Sequence, residues 1–161
     1  LEAEVEIADA GGARRIAVED FFVGDGVHNN VLKPGEVVTR VLVPARSRGL
    51  ACGYRKLRPR GAIDFPMLSV AFAARIERGA CAGARLVVSA IAAKPRTITG
   101  AGELASGRPL DAALADELGR LAQKQCHPLI NVPYDADYRR AMVPVFVRRA
   151  VLDAAGGGAP R

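Results

Sequence analysis

The sequence predicts an α+β fold in which an antiparallel sheet is covered by C-terminal helices. Apolar residues alternate with a period of two in several segments before Lys94, whereas beyond it they recur at helical spacing. The clearest hairpin joins "MLSVAFAARI" to "ARLVVSAIAA" through "ERGACAG". Because these two strands are almost continuously apolar, we expect them to be covered on both faces, or nearly so.

The first 45 residues predict the end of a further antiparallel sheet, too small to be a domain alone. In "EVEIADAGGARRIAV", apolar residues alternate with glutamates, and "DAGGA" supplies a turn. That turn brings Arg14 and Arg15 opposite the glutamates, where ion pairing is expected. In the next strand, "EVVTRVLVP", alternation places two sets of side chains on opposite sides: Val37, Thr39, Val41 and Val43 against Val38, Arg40 and Leu42.

The charge balance changes near residue 50, within "PARSRGLA". Residues 1–50 carry eight acidic and six basic residues, for a net charge of −2. Residues 51–161 carry nine acidic and 17 basic residues, for a net charge of +8. Such positive charge suits nucleic acid, a phosphorylated cofactor or an acidic partner subunit, and does not choose among them.

Three helical segments are predicted after the hairpin. "PRTITGAGELASG" forms one short helix that ends at Gly107, and Asp111 caps a second helix that carries Leu114, Leu118 and Leu121. "HPLINVP" ends that helix. The last helix spans about residues 135–153, is kinked or broken at Pro144, and has a stripe formed by Tyr138, Met142, Val145 and Leu152. Residues 155–161 form a frayed tail.

Few residues point to catalysis or metal binding. Cys52, Cys81 and Cys126 form no CxxC pair, so we expect small core residues in a reducing cytoplasm. The two histidines, His28 and His127, are predicted to be structural. No hydrolase elbow, zinc-protease motif or P-loop is present, and "GAGELASG" has the wrong glycine spacing for a dinucleotide site. The sequence therefore predicts no catalytic residue and no metal ligand.

The ends and the hydropathy give further expectations. No apolar run approaches the roughly 18 residues of a membrane span. No signal peptide is expected, and the start at Leu1 rather than Met suggests a fragment or a processed product.

The strongest local signal is a basic strand, "CGYRKLRP", which places Tyr54, Lys56 and Arg58 on one face, with Arg60 after it. Such residues clamp phosphate or stack on a planar ring, but an ordinary solvated edge strand has the same composition. Nucleic acid is disfavoured because only eight of 161 residues are Phe or Tyr and none is Trp.

Three segments carry a family resemblance: "FFVGDGVHNNVLKPGEVVTRVLVP", "YRKLRPRGAIDFPMLSVA" and "DADYRRAMVPVFVRRAV". In order and spacing they resemble the FAD-binding medium subunit of the molybdenum hydroxylase family, which includes xanthine dehydrogenase and carbon monoxide dehydrogenase. Within this family the resemblance is nearest to the 4-hydroxybenzoyl-CoA reductase branch.

The resemblance implies an organisation and a set of partners. Residues 1–49 would be the incomplete end of the second FAD-binding subdomain, and residues 50–154 would be the C-terminal α+β domain. The family's glycine-rich pyrophosphate loop would lie outside this chain. FAD would exchange electrons with a carrier such as ferredoxin, with a small iron–sulfur subunit, and through it with a large molybdenum-cofactor subunit. The fragment alone would be inactive.

The resemblance also implies residues beside the flavin. The family's apolar residue after the "PGE" turn corresponds to Val38, and its lysine corresponds to Lys56, or to Arg55 if the alignment slips by one. The family commonly has alanine after the aromatic residue that follows the aspartate, whereas this chain has Asp64-Phe65-Pro66. Two alternatives stay open: a xanthine or carbon monoxide dehydrogenase subunit, and a basic module that binds nucleic acid or protein without catalysis.

Overall fold

The computed structural model describes residues 1–61, 63–130 and 135–156. The chain divides into two compact units: unit 1, Leu1–Gly49, and unit 2, which begins at Leu50. Antiparallel sheets precede C-terminal helices, which confirms the predicted α+β class. No described helix has both the length and the apolar character of a membrane span.

Unit 1 contains a three-stranded antiparallel sheet in the order β2-β1-β3. Its elements are β1 (Glu4–Asp9), β2 (Gly12–Ala17), the one-turn helix α1 (Val18–Phe21) and β3 (Val37–Leu42). The predicted hairpin is confirmed, with the Asp9 carboxylate accepting a hydrogen bond of 2.8 Å from the Gly11 N–H in its turn. Arg15 pairs with Glu6 as predicted, but Arg14 pairs instead with Glu36.

A bulge in the β1–β3 pairing changes which side chains of β3 share a face. Between Glu6 and Ile7 the register shifts, so that Val41 lies opposite Val5 whereas Val38 lies opposite Ile7. Residues opposite each other in an antiparallel pair share a side of the sheet, so Val38 and Val41 share one. The prediction that placed them on opposite sides was wrong, because alternation fails where one strand has an extra residue.

Unit 2 begins with a four-stranded antiparallel sheet in the order β4-β5-β6-β7. Its strands are β4 (Ala51–Leu57), β5 (Leu68–Glu77), β6 (Ala80–Ser89) and β7 (Arg96–Thr97). The predicted β5–β6 hairpin is confirmed. Burial on both faces was a wrong expectation: Val70 and Phe72 are buried, but Ala71 between them is exposed. The expectation failed because alanine made the sequence of β5 continuously apolar, although so small a side chain does not have to be buried.

Three helices complete unit 2: α2 (Ala101–Ala105), α3 (Ala112–Gln125) and α4 (Ala136–Ala155). The Asp111 carboxylate accepts a hydrogen bond of 2.8 Å from the Leu114 N–H, which confirms the predicted cap. Helices and sheet share one core, which includes Leu68, Val70, Phe72, Leu86, Val88, Leu114, Leu118, Val143, Val147 and Val151.

The segment predicted as one helix after Pro95 is partly strand. Arg96 and Thr97 pair with β6, and helix α2 begins only after Gly100, which has a φ of 81°. Two of the three residues that follow Arg96 are threonine and one is isoleucine, and such β-branched residues favour strands. The predicted end at Gly107 is confirmed, since its φ of 74° lies in the left-handed region.

Helix α4 buries a different stripe from the predicted one. Of the four predicted residues, Tyr138 and Val145 are 47% and 37% exposed. Met142 and Leu152 are partly buried against the core, as predicted. The buried stripe begins at Arg139 and continues with apolar residues: Val143, Phe146, Val147, Ala150, Val151 and Ala154. Apolar periodicity did not reveal this stripe, because its first residue, Arg139, is charged.

Pro144 lies inside α4, which is continuous across it, so of the predicted kink or break the break was wrong, and the kink stays a prediction. Proline has no N–H for the carbonyl four residues earlier, that of Arg140. That oxygen accepts a hydrogen bond of 3.4 Å from Gln123 Nε2 of α3. Gly119 makes the close approach possible, because a Cβ there would lie 3.0 Å from Pro144 Cα.

Candidate functional site

Strand β4 presents two of the predicted site residues to opposite sides of the sheet. Lys56 is exposed, and so is Tyr54, at 61%. Arg55 lies on the other side, where its guanidinium binds the Asp153 carboxylate of α4, with Nη2 and Oδ1 2.6 Å apart. This hydrogen bond raises the pKa of Arg55. Lys56 and Arg55, between which the sequence did not decide, therefore lie on opposite sides of β4.

At Gly53, the side of β4 that faces α4 has no free space. A Cβ at this position would lie 1.9 Å from the carbonyl oxygen of Ala150, so α4 packs directly on the strand backbone. Arg55 and Asp153 lie beside this packing. Of the two sides of β4, only the Lys56 side therefore has room for a ligand.

Small residues surround Lys56 on the neighbouring strand. Lys56 lies opposite Ser69, and Tyr54 lies opposite the exposed Ala71. We call these four residues the Lys56 surface. Short side chains on β5 let a flat group approach the sheet, between an ammonium group and an aromatic ring. This arrangement suits a planar, electron-rich ring that carries negative charge.

The loop between β4 and β5 is closed by an ion pair. Asp64 is 9% exposed and accepts from Arg60 Nε at 3.0 Å and Arg60 Nη2 at 2.8 Å. These bonds lower the pKa of Asp64 to about 2. On either side of this carboxylate, Ile63 and Phe65 are 98% and 87% exposed. The loop holds its charge inward and its apolar side chains outward.

A buried arginine fixes the end of the same loop. Arg139 of α4 is 2% exposed and donates to three backbone carbonyl oxygens, those of Met67, Leu129 and Ala90. The bond from Nε to Met67 is 2.9 Å long. Burial lowers the pKa of Arg139. Arg139 thereby joins the start of β5, the turn after β6 and the segment after α3.

Val38 belongs to unit 1, where a tight turn precedes it. Gly35 has a φ of 86°, and the Glu36 carboxylate accepts from the Lys33 N–H at 2.8 Å and from Arg14 Nη2 at 3.0 Å. Arg14 contributes most to lowering the pKa of Glu36 to about 2. Val38 is 40% exposed, so its side chain is available to a ligand.

The cysteines and histidines provide no reactive centre in the described part of the chain. Cys81 and Cys126 are buried core residues as predicted, whereas Cys52 is exposed, contrary to the prediction. Burial raises the pKa of Cys81, and that of Cys126 to about 11, which keeps both thiols protonated. Within residues 1–61, 63–130 and 135–156, no three His, Cys, Asp or Glu side chains cluster as metal ligands.

Sequence reasoning did not find the Arg60–Asp64 pair or the role of Arg139. The spacing of four between a basic and an acidic residue was visible, but in a loop it carries no periodicity to interpret. Arg139 donates to three backbone oxygens, and backbone acceptors leave no signature in a sequence.

The CO dehydrogenase flavoprotein C-terminal domain matches residues 53–154. That match covers more than half of the chain, which therefore belongs to this family. It includes the Lys56 surface, the β4–β5 loop and all three helices of unit 2.

The relatives are subunits of oxidoreductases. The carbon monoxide dehydrogenase medium chain of Afipia carboxidovorans is 29% identical over 94% of this chain and 51% of its own length. The nicotine 6-hydroxylase medium subunit of Paenarthrobacter nicotinovorans is 25% identical over 96% and 53%. Quinoline 2-oxidoreductase from Pseudomonas putida 86 is 25% identical, with a TM-score of 0.85 over 98% of this chain and 54% of that one. The chain thus spans about half the length of these relatives.

Proposed function

We propose that this chain forms the ring-facing part of an FAD-containing electron-transfer subunit of a molybdenum-dependent oxidoreductase. The observation that carries the proposal is the Lys56 surface, where the exposed side chains of Lys56 and Tyr54 share one face of β4, inside the residues that match a flavoprotein family. Bound FAD would supply the electron transfer. Lys56 would favour negative charge on the reduced ring.

The residues fit the flavin ring better than its pyrophosphate. Tyr54 and Lys56 can border a planar anion, but the glycine-rich loop that would hold the pyrophosphate has no counterpart in this sequence. Val38, taken by itself within unit 1, stays a proposed apolar contact of the flavin, and the support for it is the family resemblance and its 40% exposure. Arg55 is the weaker candidate because Asp153 already engages its guanidinium.

Unit 1 supports the assignment of residues 1–49 to an incomplete FAD-binding subdomain. Among its residues, only Val5 and Ile7 are buried hydrophobic side chains. Val37, Val41 and Val43 are each more than half exposed. We infer that the part of the full-length subunit outside this chain covers them. Residues 50–154 then form the C-terminal domain.

The substrate branch has two readings. The resemblance noted in the sequence favours 4-hydroxybenzoyl-CoA reductase, in which electrons from reduced ferredoxin remove a phenolic hydroxyl group. The names of the relatives, a carbon monoxide dehydrogenase and a nicotine 6-hydroxylase, support a molybdenum hydroxylase of another branch equally well. In either reading the partners are a large molybdenum-cofactor subunit and a small iron–sulfur subunit, and the enzyme works in the cytoplasm.

Flavin titration tests the proposed function. The full-length subunit should bind FAD tightly, and this 161-residue chain should bind it weakly or not at all, because the pyrophosphate contacts are missing. Flavin fluorescence measures both affinities. A full-length subunit that binds no flavin would refute the proposal.

A second assay distinguishes the branches. The purified three-subunit enzyme would be supplied with carbon monoxide and a dye acceptor, and separately with 4-hydroxybenzoyl-CoA and reduced ferredoxin. Turnover of only the first substrate would reject the reductase reading.

A further inference from the structure

The β4–β5 loop, of which the structure describes residues 58–61 and 63–66, begins two residues after Lys56. Its ends are fixed by the sheet and by α4: the Met67 N–H donates to the Leu57 carbonyl oxygen at 2.8 Å, and Arg139 donates to the Met67 carbonyl oxygen. Leu57, the residue between Lys56 and the loop, is the last residue of β4. The loop therefore follows Lys56 after a single residue of the strand.

Inside the loop, the Asp64 carboxylate makes four hydrogen bonds. Arg60 donates from Nε, Nη2 and its backbone N–H, and the Phe65 backbone N–H also donates, at 2.9 Å. The Asp64 side chain is only 4% exposed, whereas that of Arg60 is 73% exposed. A paired guanidinium and carboxylate fix direction as well as distance, because both groups are planar.

The bonds to Asp64 determine the shape of the loop. With the carboxylate turned inward, both neighbouring side chains, Ile63 and Phe65, are turned to solvent. Without the pair, the inward carboxylate would lose the compensation for its burial, and the loop would adopt other conformations. The site beside Lys56 would then border a variable surface instead of a fixed one.

We propose that Arg60 and Asp64 are positioning residues, whose ion pair holds the β4–β5 loop in the conformation that the flavin ring meets beside Lys56. This inference rests on the proposed function above and adds two residues to it. Neither needs to touch the flavin, since each acts through the loop.

The test uses the full-length subunit with Asp64→Asn, which keeps the size of the side chain and removes its charge. Hydrogen exchange of residues 58–67, FAD affinity, the flavin circular dichroism spectrum and thermal unfolding are measured together. Exchange in the loop should rise. If about a tenth of the molecules keep the competent loop, the apparent Kd for FAD rises about tenfold.

Glu117→Gln is the matched control, because Arg108 and Glu117 form another two-bond ion pair, with both bonds 2.9 Å long. It should leave FAD affinity and the flavin spectrum unchanged. If Asp64→Asn does not fold, Arg60→Gln disrupts the pair from its exposed side and should give the same loss of affinity.

The outcomes separate this inference from the proposed function. Weaker FAD binding and an altered flavin spectrum with Asp64→Asn, but not with Glu117→Gln, would support the positioning role. A looser loop with unchanged FAD affinity and spectrum would overturn it and leave the proposed function intact. If the unaltered subunit binds no FAD, the proposed function fails and the positioning role fails with it.

Discussion

Unit 1 and unit 2 of this chain are stabilised in different ways. In unit 2 a four-stranded sheet and three helices enclose a continuous apolar core. In unit 1 the buried hydrophobic side chains are Val5 and Ile7, and exposed ion pairs lie on a sheet whose strands are joined by backbone pairing. Glu36 binds Arg14, and Glu6 receives hydrogen bonds from Arg15 and Thr39.

The two units differ in whether they have an extensive apolar core of their own. The residues that match the family lie in unit 2, which has one. The matched residues begin at Gly53 and lie wholly in unit 2. A domain of about 60 residues is only marginally stable, because it buries only about 60% of the surface that its unfolded chain exposes, and unit 1 has 49 residues. Packing changes should therefore affect unit 2 most, and acid should affect unit 1 most.

The largest expected effect follows from Gly53→Ala. The new methyl group would meet the Ala150 carbonyl oxygen and push α4 from β4, destabilising unit 2 by roughly 3 kcal/mol or more. Urea unfolding followed by circular dichroism measures it. Gly83→Ala is the control, because a Cβ there has nothing within 4 Å. Equal stability of the two variants would contradict close packing at Gly53.

A smaller loss is expected from Arg139→Met. The methionine fills part of the space but leaves three carbonyl oxygens without their donor, at a cost of about 2 kcal/mol. Thermal unfolding checks the value. Arg140→Met, at the exposed neighbouring position, should have little effect. A variant as stable as the unaltered protein would show that water replaces the guanidinium at no cost.

Acid should disturb unit 1 before unit 2. Glu36 in unit 1 and Asp64 in unit 2 both have a pKa of about 2 in the folded chain, below the usual 4.5 and 3.8. A lowered folded pKa contributes stability that is present above the usual value and is lost as pH falls through the folded value. The same loss of stability in acid should open unit 1 first, because within its residues 1–49 Val5 and Ile7 are the only buried hydrophobic side chains. Hydrogen exchange between pH 5 and pH 2 should rise first in β1 and β3. Simultaneous loss in both units would refute the contrast.

The smallest expected effect concerns electron transfer. In the full-length subunit, Lys56→Ala should lower the flavin midpoint potential by on the order of 20–40 mV, because a positive charge beside the reduced ring is removed. Lys124→Ala, an exposed lysine on α3, is the control. Redox titration of both variants measures the shift. An unchanged potential with Lys56→Ala would remove Lys56 from the flavin site.

Local signals in the sequence predicted much of the fold. The turn around Gly11, the β5–β6 hairpin and the cap at Asp111 all depend on residues close in the chain. The errors arose where distant residues decide. The bulge opposite Glu6 needs two strands, and the strand at Arg96 needs β6 as a partner.

In the candidate site, too, local signals were interpreted correctly, and the contacts between distant residues were missed. Alternation along β4 placed Lys56 and Tyr54 together on an exposed face. Arg55 stood as an alternative because the family alignment could slip by one, and its partner Asp153 is 98 residues away, where no local signal could show it. The flavin contacts of Val38 and Lys56 stay predictions, which the experiments above address.

The contact between α3 and α4 has a consequence for sequence divergence. Gly119 leaves space for Pro144, and Gln123 supplies a donor to the carbonyl that proline cannot reach. A homologue that replaces the proline regains the N–H of an ordinary helix, so both other positions lose their constraint. We therefore expect these three positions to covary in an alignment of the family, with larger side chains at 119 and non-amide residues at 123 wherever 144 is not proline.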